Sequence, residues 1–169
     1  ETRLNNSAAT SIIGLGHKNA LGTSNFYVGS VGHIEALVDL TGANKISNDV
    51  TLNNNLTVVG VNSLDIGGDI PLAANRLITN NIIGGGELTL SGTISASTEG
   101  LKTLNIRGNT STTISGAIQD GSGSIALSKF DAGTLTLSGA NTYSGATTVG
   151  AGTLEIGAGS TTGSLGSGA

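Results

Sequence analysis

Three short stretches of this chain are nearly the same: GELTLSG at Gly86 to Gly92, GTLTLSG at Gly133 to Gly139 and GTLEIGA at Gly152 to Ala158. In each, a glycine leads into two apolar residues with one polar residue between them. A period of two places both apolar side chains on one face of a strand and the polar one on the other. The same dyad recurs as Val50/Leu52, Leu56/Val58, Leu64/Ile66, Leu88/Leu90, Leu104/Ile106, Ile125/Leu127, Leu135/Leu137 and Leu154/Ile156. A dyad is too short to bury its own face, so many of them must share a core. Short strands that share a core and repeat along the chain predict stacked coils.

The spacers agree. Gly, Asn and Ser cluster between dyads, as in NNN at Asn53 to Asn55, GGG at Gly84 to Gly86 and DGSGS at Asp120 to Ser124. These residues tolerate left-handed dihedrals and mark sharp turns. SGTI, SGAI, SGAN and SGAT, beginning at Ser91, Ser115, Ser138 and Ser144, read as variants of one corner. Intervals of 135 to 154, 104 to 125 and 88 to 104 suggest a return to the same face after roughly twenty residues. The expectation is a β-solenoid of about eight coils, a rod roughly 40 Å long at the inter-strand spacing. Stacked Asn and Thr at the corners are expected to hydrogen-bond along the rod. The segment HIEALVDL reads as a strand, with Ile34, Ala36, Val38 and Leu40 on one face. NALGTSN at Asn19 to Asn25 is echoed by GSLGSGA at Gly163 to Ala169, so the chain reads as one large repeat and the start of another, a segment taken from something longer.

Composition narrows the function. Only 2% of the 169 residues are aromatic and 11% charged, while Gly, Thr, Ser and Asn make up about half. A narrow interior has little room for rings, and Phe26, Tyr27, Phe130 and Tyr143 are the exceptions. Seven Lys and Arg against a net charge of −4 leave no footprint for nucleic acid. Cysteine is absent, which removes disulfides and thiolate chemistry and suits a chain that folds only after export.

Catalytic readings are weak. Asp65 and Asp69 in SLDIGGDIPL are the nearest pair of carboxylates, but Asp65 alternates outward between Leu64 and Ile66 and a Gly67-Gly68 turn separates the two. A solvated strand and turn is the expectation, with no glycosidase pair and no calcium site. His17 and His33 have no Ser or Cys partner by motif. GLGHKN at Gly14 lacks the third glycine of a dinucleotide loop and the Lys-Ser/Thr ending of a phosphate loop. No catalytic, cofactor-binding or metal-binding residue is assigned, and no enzyme activity is expected.

The residues LSKFDAGTLTLSGANTYSGATTVGAGTL, Leu127 to Leu154, closely resemble the autotransporter-associated β-strand repeat, also called the passenger-associated transport repeat. The matching positions are Leu127, Lys129, Gly133, Thr134, Leu135, Leu137, Gly139, Asn141, Thr142, Tyr143, Gly145, Thr147, Val149, Gly152 and Leu154. Asp131 stands where the family usually has Gly, and Gly150 where Asn is common. The motif covers 28 of 169 residues, and weaker echoes such as ISGAIQDGSGSIALSK lie upstream.

The resemblance implies a right-handed parallel β-helix, with residues 1–169 one segment of a type V secretion passenger and 127–154 its repeat motif. It also implies a place at the surface of a Gram-negative cell or in its medium, and export through an outer-membrane β-barrel translocator. The expected function is structural: promotion of passenger secretion and folding, and then service as a stalk. An adhesin-type module that binds glycans or host proteins is the alternative. Within the motif, Lys129, Asn141 and Tyr143 are expected to pack corners, with Tyr143 covering a turn. The other expected partners are neighbouring coils, and other copies of the chain through end-to-end association.

Overall fold

The computed structural model describes residues 2–4 by their backbone, and 12–30, 32–157, 159 and 162–168 with side chains. The chain is a parallel β-solenoid built on three faces. The first face consists of two abutting three-stranded pieces: Thr2–Leu4, Phe26–Val28 and Val50–Leu52, then Ile70–Leu72, Ile94–Ala96 and Ile118–Gln119. Val50 N–H donates to the Asp69 carbonyl at 2.8 Å where the two pieces meet. The second face is a seven-stranded sheet of Ile12–Leu15, Gly32–Ala36, Leu56–Gly60, Arg76–Ile82, Leu101–Gly108, Ser124–Lys129 and Thr147–Val149. The third holds Leu64–Ile66, Leu88–Leu90, Thr112–Ile114, Thr134–Leu137 and Thr153–Ile156. All pairings are parallel, so each strand meets its equivalent one coil away.

The rod has about six turns rather than the eight expected, because most coils are longer than twenty residues. Leu64 pairs with Leu88, and Leu88 with Thr112, both at a spacing of 24. The spacing lengthens to 28 between Arg76 and Leu104, and shortens to 19 between Leu135 and Leu154. Two of the three intervals read from sequence need correction. Leu88 and Leu104 lie on different faces, and Leu104 pairs with Leu127 rather than with Ile125. A dyad carries no label for its face, so periodicity alone could not separate three interleaved series.

The dyads fill the interior. From Val50/Leu52 to Leu135/Leu137, all are buried in one continuous core. Phe26 and Tyr143 are the aromatic rings inside, while Phe130 and Tyr27 are only partly buried. HIEALVDL is a strand only as far as Ala36. Leu37 and Val38 are exposed at a corner, and Leu40 is buried on the next face. The echo between NALGTSN and GSLGSGA does not extend to packing, since Leu21 is buried and Leu165 exposed.

Corners are held by side chains rather than by ladders of like residues. Asp39 Oδ1 accepts Ser63 N–H at 2.8 Å, Asp49 Oδ1 accepts Asp69 N–H at 2.9 Å, and Asp69 Oδ1 accepts Thr93 N–H at 2.8 Å. Asn55 and Asn75 do the same for Leu77 and Thr103. In each case a carboxylate or amide oxygen of one coil takes a backbone N–H of the next, where the strand ladder is interrupted.

One corner is made by glycine. A Cβ on Gly92 would lie 2.0 Å from the Gly68 carbonyl oxygen, one on Gly116 1.9 Å from that of Gly92, and one on Gly139 2.2 Å from that of Gly116. Three of the four Ser-Gly corners therefore stack in one column. The fourth, at Ser144, belongs elsewhere, since Gly145 lies against the Ile125 carbonyl.

The repeat coil as candidate functional site

The motif begins on the second face, crosses the third and the first, and runs on through the second and third faces of the next coil. Leu127 and Lys129 end Ser124–Lys129. Thr134, Leu135 and Leu137 form Thr134–Leu137, Thr147 and Val149 lie on Thr147–Val149, and Leu154 lies on Thr153–Ile156. Leu127, Leu135 and Leu137 are fully buried. Thr142 is exposed, and its N–H donates to the Ile118 carbonyl at 2.9 Å.

Gly133, Gly139, Gly145 and Gly152 leave no space for a side chain. A Cβ at these positions would come within 2.2 to 2.4 Å of a carbonyl oxygen in the previous coil. Gly152 adds a φ of +75, which L side chains rarely adopt.

Lys129 lies in an inward-facing row between Ile106 and Val149 and is 2% exposed. Its ammonium leaves the apolar interior at the corner, donating to the carbonyls of Phe130 at 2.6 Å, Asp131 at 2.8 Å and Ala151 at 3.4 Å. One cation thus joins the corners of two successive coils. Burial pulls its pKa below the ordinary lysine value, partly opposed by the charge of Asp131. Asp131 has a φ of 65, positive like many glycines here. That dihedral accounts for the family's usual glycine at this position, and Asp is among the residues that tolerate it. The Asp131 carboxylate accepts Gly108 N–H at 3.2 Å. At Gly150, the missing side chain leaves room for the Phe130 ring, which a Cβ would meet at 2.7 Å.

Asn141 links three coils. Its Oδ1 accepts Ile118 N–H at 2.8 Å, and its Nδ2 donates to the Gly139 carbonyl at 3.2 Å and the Ser164 carbonyl at 2.7 Å. Tyr143 differs from the expectation in lying inside the rod: its ring is fully buried and packs on Gly166 of the next coil, with its hydroxyl 2.7 Å from Thr147 Oγ1. Past it the core opens, and Val149 and Ile156 are 47% and 41% exposed where earlier coils bury the equivalent rows.

The other candidates do not converge. Asp65 is buried rather than solvated. Leu40 and Ile46 bridge Leu64 and Ile66, so four extra residues bulge out around the 3-10 turn Gly42–Asn44 and carry Lys45 across the sheet. The Lys45 stem lies on Gly67, its Nζ donates to Ser91 Oγ at 3.2 Å, and Ser91 Oγ–H donates to Asp65 Oδ1 at 2.6 Å. Asp69 sits at a corner and binds backbone N–H. Exposed His17 accepts Asn19 N–H through Nδ1, and His33 lies on a different element, Gly32–Ala36. Among the described residues no group of three or more His, Cys, Asp or Glu could hold a metal ion, and no helix is long and apolar enough to cross a membrane.

No curated protein and no solved structure matches the chain. The likeness read from Leu127 to Leu154 is found again by comparison with family models: residues 127–156 match the model described as Passenger-associated-transport-repeat, and the chain carries that repeat.

Proposed function

We propose that this chain is a structural segment of an autotransporter passenger, which promotes secretion and folding at the surface of a Gram-negative cell and then serves as a stalk. The repeat at 127–156 and the parallel solenoid both fit a passenger of this kind. The observation that carries the mechanism is the complementarity of successive coils. A folded coil presents an apolar row and unpaired corner groups, and the adjoining coil satisfies both as it docks, with Asp and Asn oxygens reaching forward from Asp39, Asp49, Asp69 and Asn75 and back from Asp131 and Asn141.

Each docking step buries a set of dyads and closes backbone hydrogen bonds, at about 25 cal/mol per Å² of apolar surface removed from water. A coil that has folded outside the membrane resists being drawn back through a β-barrel translocator, because return requires it to unfold. Progressive stacking then rectifies export without a separate energy source. A structural role of this kind needs no catalytic residue, and the rod's other partners are its own neighbouring coils.

The test is export of the parent passenger with residues 127–154 deleted, scored by surface exposure against retention inside the cell. Retention or degradation is the expected result. Undiminished export of a protease-resistant passenger would overturn the reading.

A further inference from the structure

Among the described residues, two clefts on the surface of the rod are lined by several polar side chains. The larger, about 490 Å³, separates the Lys18 loop from the insertion that carries Lys45. Its charged side chains and the Asn48 amide are engaged within the chain: Lys18 on the Ala43 carbonyl, Lys45 on Ser91, the Asn48 amide on the Gly22 and Ser24 carbonyls, and Asp49 on Asp69 N–H. It is a joint between two loops whose cations are already committed.

The smaller cleft, about 350 Å³, lies where the first face turns into the second and is lined by Asn55, Asn75, Arg76, Leu77, Asn105 and Arg107. Its size falls within the range of small-ligand sites. Here the polar groups are only half used. Asn55 and Asn75 each commit Oδ1 to a backbone N–H of the next coil, at 3.0 and 2.9 Å, which fixes the amide orientation and leaves Nδ2 as a donor. Asn105 donates Nδ2 to the Arg76 carbonyl at 3.2 Å, leaving its oxygen to accept. Arg76 donates Nε to the Leu52 carbonyl and Nη1 to the Asn75 carbonyl, so Nη2 remains. Arg107 makes no hydrogen bond among the described residues and lies over the Phe130 ring at 5.1 Å.

Sheet register brings these groups together, pairing Leu104 with Arg76 and Asn105 with Leu77. Two guanidiniums thus meet in one cleft of a chain whose net charge is −4. We propose that this cleft binds a carboxylate-bearing sugar unit of an acidic glycan. A guanidinium fork matches a carboxylate in two parallel hydrogen bonds. The free Asn55 and Asn75 donors and the Asn105 acceptor suit sugar hydroxyls, and half-buried Leu77 offers an apolar surface to the ring C–H groups. The acceptor matters for class, because a fully deprotonated anion such as sulfate has no hydroxyl to give it. The site stands apart from the repeat coil, and its failure would leave the export reading untouched.

The test is calorimetric titration of the 169-residue chain with trigalacturonate and sialyllactose, and with maltotriose and sodium sulfate as neutral-sugar and inorganic-anion controls. Saturable binding of an acidic sugar, with both controls much weaker, is expected. Arg107→Gln should weaken it by about tenfold to a hundredfold, the contribution of one charge-assisted pair. Arg107→Lys should also weaken it, because an ammonium lacks the fork, while Lys18→Gln should not; unchanged melting of each variant shows that the fold is intact. The proposal is overturned if neither acidic sugar saturates, if sulfate or maltotriose binds equally well, or if Arg107→Gln or Arg107→Lys retains full affinity.

Discussion

The central coils and the repeat coil solve the same packing problem with different chemistry. Between Leu88 and Ile118 the interior is aliphatic but for Lys102 and Thr112: Leu88, Leu90, Ile94, Ala96, Leu104, Ile106, Ile114 and Ile118 stack on their equivalents above and below. From Leu127 onward, Lys129, Asn141 and Tyr143 enter the core, and each bonds to another coil or to the next strand. Aliphatic rows tolerate a slip of two residues, since every second side chain still points inward. A lysine that must reach three carbonyls, or an amide that must reach three coils, does not. Aliphatic burial therefore makes the rod, and buried polar contacts set which residue meets which: Lys129, Asn141 and Tyr143 in the repeat, and before it Asn80 on Thr112 and Lys102 on three corner carbonyls.

The sharpest way to break this comparison is to place a charge in both regions. Leu135→Asp and Leu90→Asp each put a carboxylate into a fully buried row and should cost more than about 4 kcal/mol, enough to unfold the coil in either region. Limited proteolysis would check this, and a resistant Leu135→Asp rod would show that the repeat coil is not packed as described. Tyr143→Ala follows, at about 3 to 5 kcal/mol for the lost ring volume, while Tyr143→Phe should cost about 1 kcal/mol for the bond to Thr147. Urea denaturation of both variants separates volume from hydroxyl.

Asn141→Ala sharpens the comparison at the corners. It leaves the buried Ile118 N–H without a partner and should cost about 2 to 3 kcal/mol, against about 1 kcal/mol for Asn75→Ala at an exposed corner. Equal losses would mean that the repeat has no special hold on register. The smallest effect concerns Asp120. Burial works to raise its pKa, but hydrogen bonds from the Ser144 side chain and from Ile125 and Ser144 N–H outweigh that and hold it below the ordinary aspartate value. The folded pKa lies below the unfolded one, so this stabilisation is complete above the unfolded value and is lost as pH falls through the folded one. Thermal midpoints should therefore drop below about pH 4, and Asp120→Asn, which keeps an acceptor oxygen, should show a shallower drop.

Some of this was legible in advance. Dyads such as Leu135/Leu137 marked strands because only a period of two brings both side chains to one face, and Gly133 to Gly139 marked corners and strand together. Other features were hidden. Asp65 looked solvated because nothing in SLDIGGDIPL shows that Lys45, twenty residues earlier, lies across it. Tyr143 looked like a turn cover because a sequence does not reveal that its ring lies inside the rod, fully buried. The arginine cleft gave no local signal, since Asn55, Arg76 and Arg107 meet only through the pitch of the rod.

Local chemistry, then, was enough to determine that this chain would be a stack of short strands with glycine and Asx corners, and that one stretch resembles a known repeat. Those properties depend on alternation, steric size and dihedral freedom, which belong to neighbouring residues. The coil count, the column in which each Ser-Gly corner stands, the covering of Asp65 and the pairing of the two arginines were decided only in three dimensions. Coil lengths vary from 19 to 28 residues, and that variation sets which distant side chains fall above one another.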